Sequence, residues 1–94
     1  MAIHEDPEQH EDRALSRLIP SFRGLRVLEI GAGDGRITRK YARQAASIIA
    51  IDPKAEEIDL LRAALPAIDA RAIGINDLQL PPHSVDVAIF SWSL

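Results

Sequence analysis

Gly31, Gly33 and Gly35 stand at alternate positions directly after the run Arg26-Val27-Leu28-Glu29-Ile30. Where a strand must turn sharply into a helix beside a ligand, glycine supplies positive φ and lets the main chain approach with no Cβ in the way. A helix starting near Asp34 would aim unpaired N–H groups at the same space and favour an anionic ligand group. The plainer alternative is a tight strand-to-helix turn with no ligand. The spacing is G-x-G-x-G, not the G-x-G-x-x-G of the dinucleotide fingerprint, and an acid, Glu29, stands two residues before the first glycine.

Asp52 ends the second apolar run, Ser47-Ile48-Ile49-Ala50-Ile51. A carboxylate at a strand tip can accept both hydroxyls of a ribose, because its two oxygens carry several lone-pair sites. Asp before Pro is also an ordinary helix cap, and the two roles coexist. Pro53 would stiffen the turn. A third polar pair, Asn76-Asp77, precedes Leu78-Gln79-Leu80-Pro81; read by itself it is a turn. His4, His10 and His83 have no metal-like arrangement, and there is no cysteine to supply thiolates or disulfides. Spacing alone builds no Ser-His-Asp or paired-carboxylate case, so no catalytic residue is named. Arg36, Arg39, Lys40 and Arg43 read as a solvated helix face.

The elements that must position these residues follow from periodicity. Asp6-Pro7-Glu8-Gln9 starts a helix that carries Ala14, Leu15, Leu18 and Ile19 on one face and ends at Pro20. A strand is predicted over 26–30, a helix over 36–46 with Ile37, Tyr41 and Ala45 inward, and a strand buried on both faces over 47–51. A second helix follows Asp52-Pro53, with Ile58, Leu61 and Leu65 inward, and stops at Pro66. A weaker strand over 71–75, a loop over 76–84 and a strand over 85–91 complete the pattern. Strands alternating with helices imply an α/β fold with a parallel sheet and right-handed crossovers.

Val27 to Arg36 resembles the first motif of the class I S-adenosylmethionine (SAM)-dependent methyltransferases, of the type 11-like kind. The resemblance implies a Rossmann-like parallel sheet with flanking helices. It implies that the loop at Gly31, Ala32 and Gly33 wraps the methionine part of SAM and that Glu29 helps place the amino group. It places the ribose acid at Asp52, next to Pro53. The family often has an Asp four residues before a Leu-Pro pair, contacting the adenine amino group. Counting back from Leu80 reaches Asn76, with Asp77 next, which departs from the pattern; either can accept from an amine. The segment from Ser84 to Ser91 is similar to the family's fourth strand, with Val85 in place of the usual Phe, and leaves Asp86 open to a structural or a functional role. Residues after that strand, Ser91, Trp92 and Ser93, then line the methionine end. Trp92 would pack near the sulfonium or in the core.

The resemblance divides the chain into an amino-terminal helix and connection, 1–24, and the SAM-binding half of a methyltransferase domain, 25–94. The family's sheet has seven strands in the order 3-2-1-4-5-7-6, so a chain ending at Leu94 reads as truncated after the fourth. The expectation is a fragment of a longer product or a degenerate copy, with a partner-completed module as the third explanation. An exposed fourth strand would invite pairing with a second copy. The function this implies is a SAM-dependent methyltransferase domain with SAM as cofactor, an unknown methyl acceptor and no turnover by itself. Alternatives are a non-catalytic SAM- or nucleotide-binding or dimerising module and, further off, a NAD(P)-binding oxidoreductase fragment. The 94 residues, 47% hydrophobic with net charge −3, argue against a large nucleic-acid surface. A polar, acidic start with no signal peptide and no spanning apolar run reads as cytosolic.

Overall fold

The computed structural model describes residues 21–91. The helix expected over 6–19, and Trp92 and Ser93, lie outside them. The elements run in order β1 (Arg26–Ile30), α1 (Thr38–Tyr41), β2 (Ser47–Ile51), α2 (Ala55–Ala64), β3 (Asp69–Arg71), a 3₁₀ turn (Ile75–Asp77) and β4 (Val87–Phe90). All pairings are parallel, and the sheet order is β3-β2-β1-β4. This is the α/β, Rossmann-like sheet expected, and the order is that of the first four strands of the anticipated seven. Among the described residues, β4 is an edge strand.

Side-chain alternation sorts the sheet into two faces. Val27, Ile48, Ala50, Val87 and Ile89 point to one face and pack with Phe22, Ile37, Tyr41, Ile58 and Leu61. Crossovers that step the same way across the sheet put both helices there. Leu28, Ile30 and Ile51 point to the other face, which is covered by Ile73, Leu78, Leu80 and Val85.

Three boundaries differ from the sequence expectation. The helix expected over 36–46 is α-helical only at Thr38–Tyr41. Around it, i→i−4 bonds (Arg39 N to Gly35 O, Ala42 N to Thr38 O) mix with i→i−3 bonds (Lys40 N to Ile37 O, Gln44 N to Tyr41 O), so the segment is a tightened series of turns. The third strand lies at Asp69–Arg71, two residues before its expected start. Beyond it, Ile73 N bonds to Arg71 O and takes the chain out of the ladder, while Asp52 N also donates to Arg71 O. Arg62 of α2 donates to Ala70 O at 3.1 and 2.8 Å, tying this short strand to the helix.

The fourth strand is Val87–Phe90, within the expected 85–91. Asp86 explains its start. Its carboxylate accepts Arg26 N at 2.7 Å and is gripped by the Arg26 guanidinium at 3.1 and 3.0 Å, and Asp86 N donates to Arg26 O. The Arg26 hydrogen bonds, side chain then backbone, pull the Asp86 carboxyl down to about 2. The role found for Asp86 is structural: it locks β4 against the beginning of β1, at the opposite end from the glycine loop.

Candidate functional site

A crevice of about 460 Å³ opens where β1, β2 and β3 end. Its size falls within the ordinary range for small-molecule sites. From the β1 side it is lined by Ile30, Gly31 and Gly33; from the β2–α2 side by Asp52, Pro53, Lys54 and Glu57; from beyond β3 by Gly74, Ile75, Asn76 and Asp77. Six of the residues singled out from the sequence therefore share one surface: Gly31, Gly33, Asp52, Pro53, Asn76 and Asp77.

The glycine loop is built as a set of positive-φ turns, with φ of 80° at Gly31, 57° at Gly33 and 94° at Gly35. Its N–H groups do not point at a ligand. Gly31 N and Ala32 N both donate to Ile51 O, at 2.9 and 3.1 Å, and Gly33 N donates to Asp52 Oδ2 at 3.0 Å. The helix begins only at Thr38, so the expected fan of unpaired N–H groups is replaced by bonds to the tip of β2. Gly33 leaves room for a ligand, since a Cβ there would meet no heavy atom within 4 Å. Gly35 serves packing, since a Cβ there would fall 2.4 Å from Leu61 Cδ1 of α2.

Asp52, 9% exposed, holds the two sides together. Besides accepting Gly33 N through Oδ2, it accepts Lys54 N through Oδ1 at 2.9 Å. The second bond is an Asx-type turn that leads the chain to α2, whose N-cap is Lys54 with no side-chain cap bond, so Asp52 shapes the turn before the helix and is not the helix cap anticipated for Asp-Pro. Each Asp52 oxygen keeps acceptor capacity after these bonds.

Glu29, Ala32 and Ser91 are not among the lining residues. Glu29 is fully buried on the helix-bearing face of the sheet. Its Oε1 accepts Thr38 Oγ1 at 2.8 Å and Tyr41 Oη at 2.6 Å, and its Oε2 accepts the Ser91 hydroxyl. The three hydroxyls make this carboxylate the knot joining β1, α1 and the end of β4. Burial, then the neighbouring Glu29 charge and hydrogen bond, push the Tyr41 phenol far above its ordinary range. Tyr41 also stacks on Phe22, with ring centroids 4.5 Å apart. Ala32 is buried in the core behind the loop.

The sequence reading missed Ile30, Lys54, Glu57, Gly74 and Ile75. The side chains of Lys54, Glu57, Asn76 and Asp77 make no hydrogen bond or ion pair among the described residues. The lining thus sets the carboxylates Asp52, Glu57 and Asp77 against one amine, Lys54. Such a surface is rich in acceptors and suits a ligand that brings hydroxyl and amine donors and positive charge. No described helix is long and apolar enough to cross a membrane.

Comparison with known proteins points the same way. A family model described as a methyltransferase domain matches residues 27–94. An uncharacterized methyltransferase of Mycobacterium tuberculosis is 36% identical over 76 residues, which cover 81% of this chain and 31% of that protein. Among solved structures, an S-adenosylmethionine-dependent methyltransferase from Mesorhizobium loti superposes with a TM-score of 0.76 at 29% identity, over 88% of this chain and 39% of that one. Phosphoethanolamine N-methyltransferase 1 of Haemonchus contortus, solved with phosphoethanolamine and S-adenosylhomocysteine, gives a TM-score of 0.75 at 28% identity, over 88% of this chain and 19% of that one. The chain spans about a third of the length of the mycobacterial relative it matches.

Proposed function

This chain belongs to the methyltransferase domain family, and we propose that its crevice binds S-adenosylmethionine. The observation that carries this reading is the 3.0 Å bond from Gly33 N to Asp52 Oδ2, which joins the glycine loop and the β2 carboxylate on one crevice. The ribose lies against Asp52 beside Pro53, and the adenine amino group meets Asn76 or Asp77. The methionine part runs along Gly31 and Gly33, with Glu29 and Ser91 behind the loop. The fit is one of chemistry as well as shape. Adenosine offers hydroxyl and amine donors to an acceptor-rich lining, and the sulfonium meets net negative charge. A pyrophosphate would find the N–H groups of residues 31–33 already donated, which is why the methyl donor is favoured over a nicotinamide dinucleotide.

When bound, the sulfonium supplies a methyl group already activated for in-line displacement, so the protein's work is positioning. Gly31 and Gly33 let the main chain approach. Asp52 orients the sugar while holding the loop in place, and the buried Glu29 knot keeps β1 and the β4 exit in register. No residue is assigned to the methyl acceptor, and turnover is proposed to need segments beyond these 94 residues. The test is calorimetry with S-adenosylmethionine, S-adenosylhomocysteine and NAD. Saturable binding of the first two without the third is expected. NAD binding as tightly, or no binding of either sulfur ligand, would sink the reading.

A further inference from the structure

Among the described residues, β3 is an edge strand of the sheet, opposite β4. The parallel ladder with β2 fixes which way its peptides face. Asp52 N donates to Arg71 O, so Arg71 faces β2, and Ala70, one residue earlier, turns its N–H and C=O away from the sheet. An outward peptide on an edge strand is a template for another chain. Here the carbonyl is already taken. Arg62 of α2 donates to Ala70 O twice, at 3.1 Å from Nε and at 2.8 Å from Nη2, and so uses both lone-pair directions of that oxygen. Arg62 Nη1 stands 3.6 Å from Asp59 Oδ1, one turn back on the helix, which steadies the fork.

The residues around Ala70 are self-complementary. When a second copy meets this edge across a two-fold axis, the strands run antiparallel and Ala70 meets its own counterpart. A pair of that kind exchanges both N–H···O bonds. In the same register Asp69 of each copy lies opposite Arg71 of the other, so opposite charges meet on both sides of the pair. These two side chains, 51% and 36% exposed, pair at 2.8 Å within one chain and are accessible for that exchange.

We propose that the β3 edge is a self-recognition surface for a second copy of this chain, and that Arg62 holds it shut. The helix carries the guard and the strand carries the complementary triplet Asp69-Ala70-Arg71. The proposal goes beyond the reading of the crevice and stands or falls without it.

The experiment is sedimentation velocity of the full chain over a concentration series, for wild type, Arg62→Ala and Arg62→Lys. Arg43→Ala, an exposed arginine outside α2 and β3, controls for lost charge. Arg62→Ala is expected to associate at about tenfold lower concentration than wild type, the effect of freeing a carbonyl held by a charged donor. Arg62→Lys, which keeps the charge but not the fork, should fall between. In Arg62→Ala, amide hydrogen exchange at Ala70 should slow as concentration rises, because its N–H enters the new pair. Adding Asp69→Lys sets like charges opposite each other in that register and should return association to the wild-type level. Circular dichroism checks the fold; if Arg62→Ala loses it, Arg62→Lys with and without Asp69→Lys carries the same comparison. Association within about twofold of wild type, or exchange at Ala70 that does not slow, overturns the proposal. Equal association in Arg43→Ala, or in the presence of Asp69→Lys, overturns it as well.

Discussion

On the β1–β2 wall of the crevice, the N–H groups of residues 31–33 are donated to Ile51 and Asp52. Behind that wall, Glu29 is enclosed by three hydroxyls at full burial. On the wall beyond β3, Ile75, Asn76 and Asp77 are exposed, and the polar side chains there have no partner among the described residues. One wall is pre-organised by bonds the protein makes to itself, and the other presents groups left without partners among the described residues. Pre-organised contacts give up little freedom on binding, whereas side chains that must be ordered offset part of their own hydrogen-bond energy. A change on the first wall should therefore alter stability and binding together. A change on the second should alter binding alone.

The strongest break in that comparison is Asp52→Ala. It removes a proposed ribose acceptor and orphans the N–H groups of Gly33 and Lys54. Urea denaturation should show a loss of about 1–3 kcal/mol, chiefly the cost of leaving the buried Gly33 N–H unsatisfied. Calorimetry should show S-adenosylhomocysteine weakened by at least about tenfold. Asp52→Asn, which keeps one acceptor oxygen, should fall between. If Asp52→Ala lowers affinity with stability intact, the loop does not depend on this carboxylate and the two walls are alike.

Gly35→Ala probes the same wall where it meets α2. The new Cβ would fall 2.4 Å from Leu61 Cδ1, and Leu61 is fully buried, so the methyl group has no open side to move into. The backbone at φ 94° adds its own strain. A loss of about 1–3 kcal/mol is expected in urea denaturation, and wild-type stability would show that α2 yields easily.

Tyr41→Phe tests the knot behind the loop. Deleting the hydroxyl removes a 2.6 Å donor to Glu29 and should cost about 1–2 kcal/mol, with the Phe22 stack kept. Its pH dependence follows from the raised phenol. A tyrosine whose folded pKa lies above its unfolded value, about 10, contributes stability that is fully present below that value and is lost as pH rises beyond it. Thermal melts of wild type should therefore decline above about pH 10 more steeply than those of Tyr41→Phe. Parallel declines would mean that the Tyr41 hydroxyl is neither buried nor held by Glu29.

How much of this was legible in the sequence differs between the walls for the same physical reason. The glycine loop and Asp52 are announced locally, because positive φ demands glycine and the turn into Lys54 N demands a short side-chain acceptor, and both needs leave residue-type signals. β3 left almost none. Asp69–Arg71 is three residues of low strand propensity, held by pairing with β2 and by Arg62 reaching Ala70 O. These are contacts between distant parts of the chain that no local pattern records, and the expected strand was placed two residues too far along. The partners of Glu29 were hidden for a similar reason. Thr38 and Tyr41 lie on the next element, but Ser91 is 62 positions away, and only the parallel pairing of β1 with β4 brings it near. Lys54 and Glu57 were missed because their place in the crevice depends on the direction α2 takes after Asp52.

The smallest expected effect on stability, and the sharpest contrast with Asp52, belongs to Asn76→Ala and Asp77→Ala. Both side chains are exposed and without partners among the described residues, so neither substitution should change the urea midpoint by more than about 0.5 kcal/mol. Their effect on ligand binding should separate them. In the proposed binding mode one of the two accepts the adenine amino group, so one variant should weaken S-adenosylhomocysteine by about three- to tenfold and the other should bind nearly as wild type does. Repeating the titration with a purine-riboside analogue that lacks the exocyclic amine should erase the difference between that variant and wild type. A stability loss at either position comparable to that of Asp52→Ala would mean that the wall beyond β3 is also bonded into the fold. The division between a fixed wall and an adaptable one would then have to be given up.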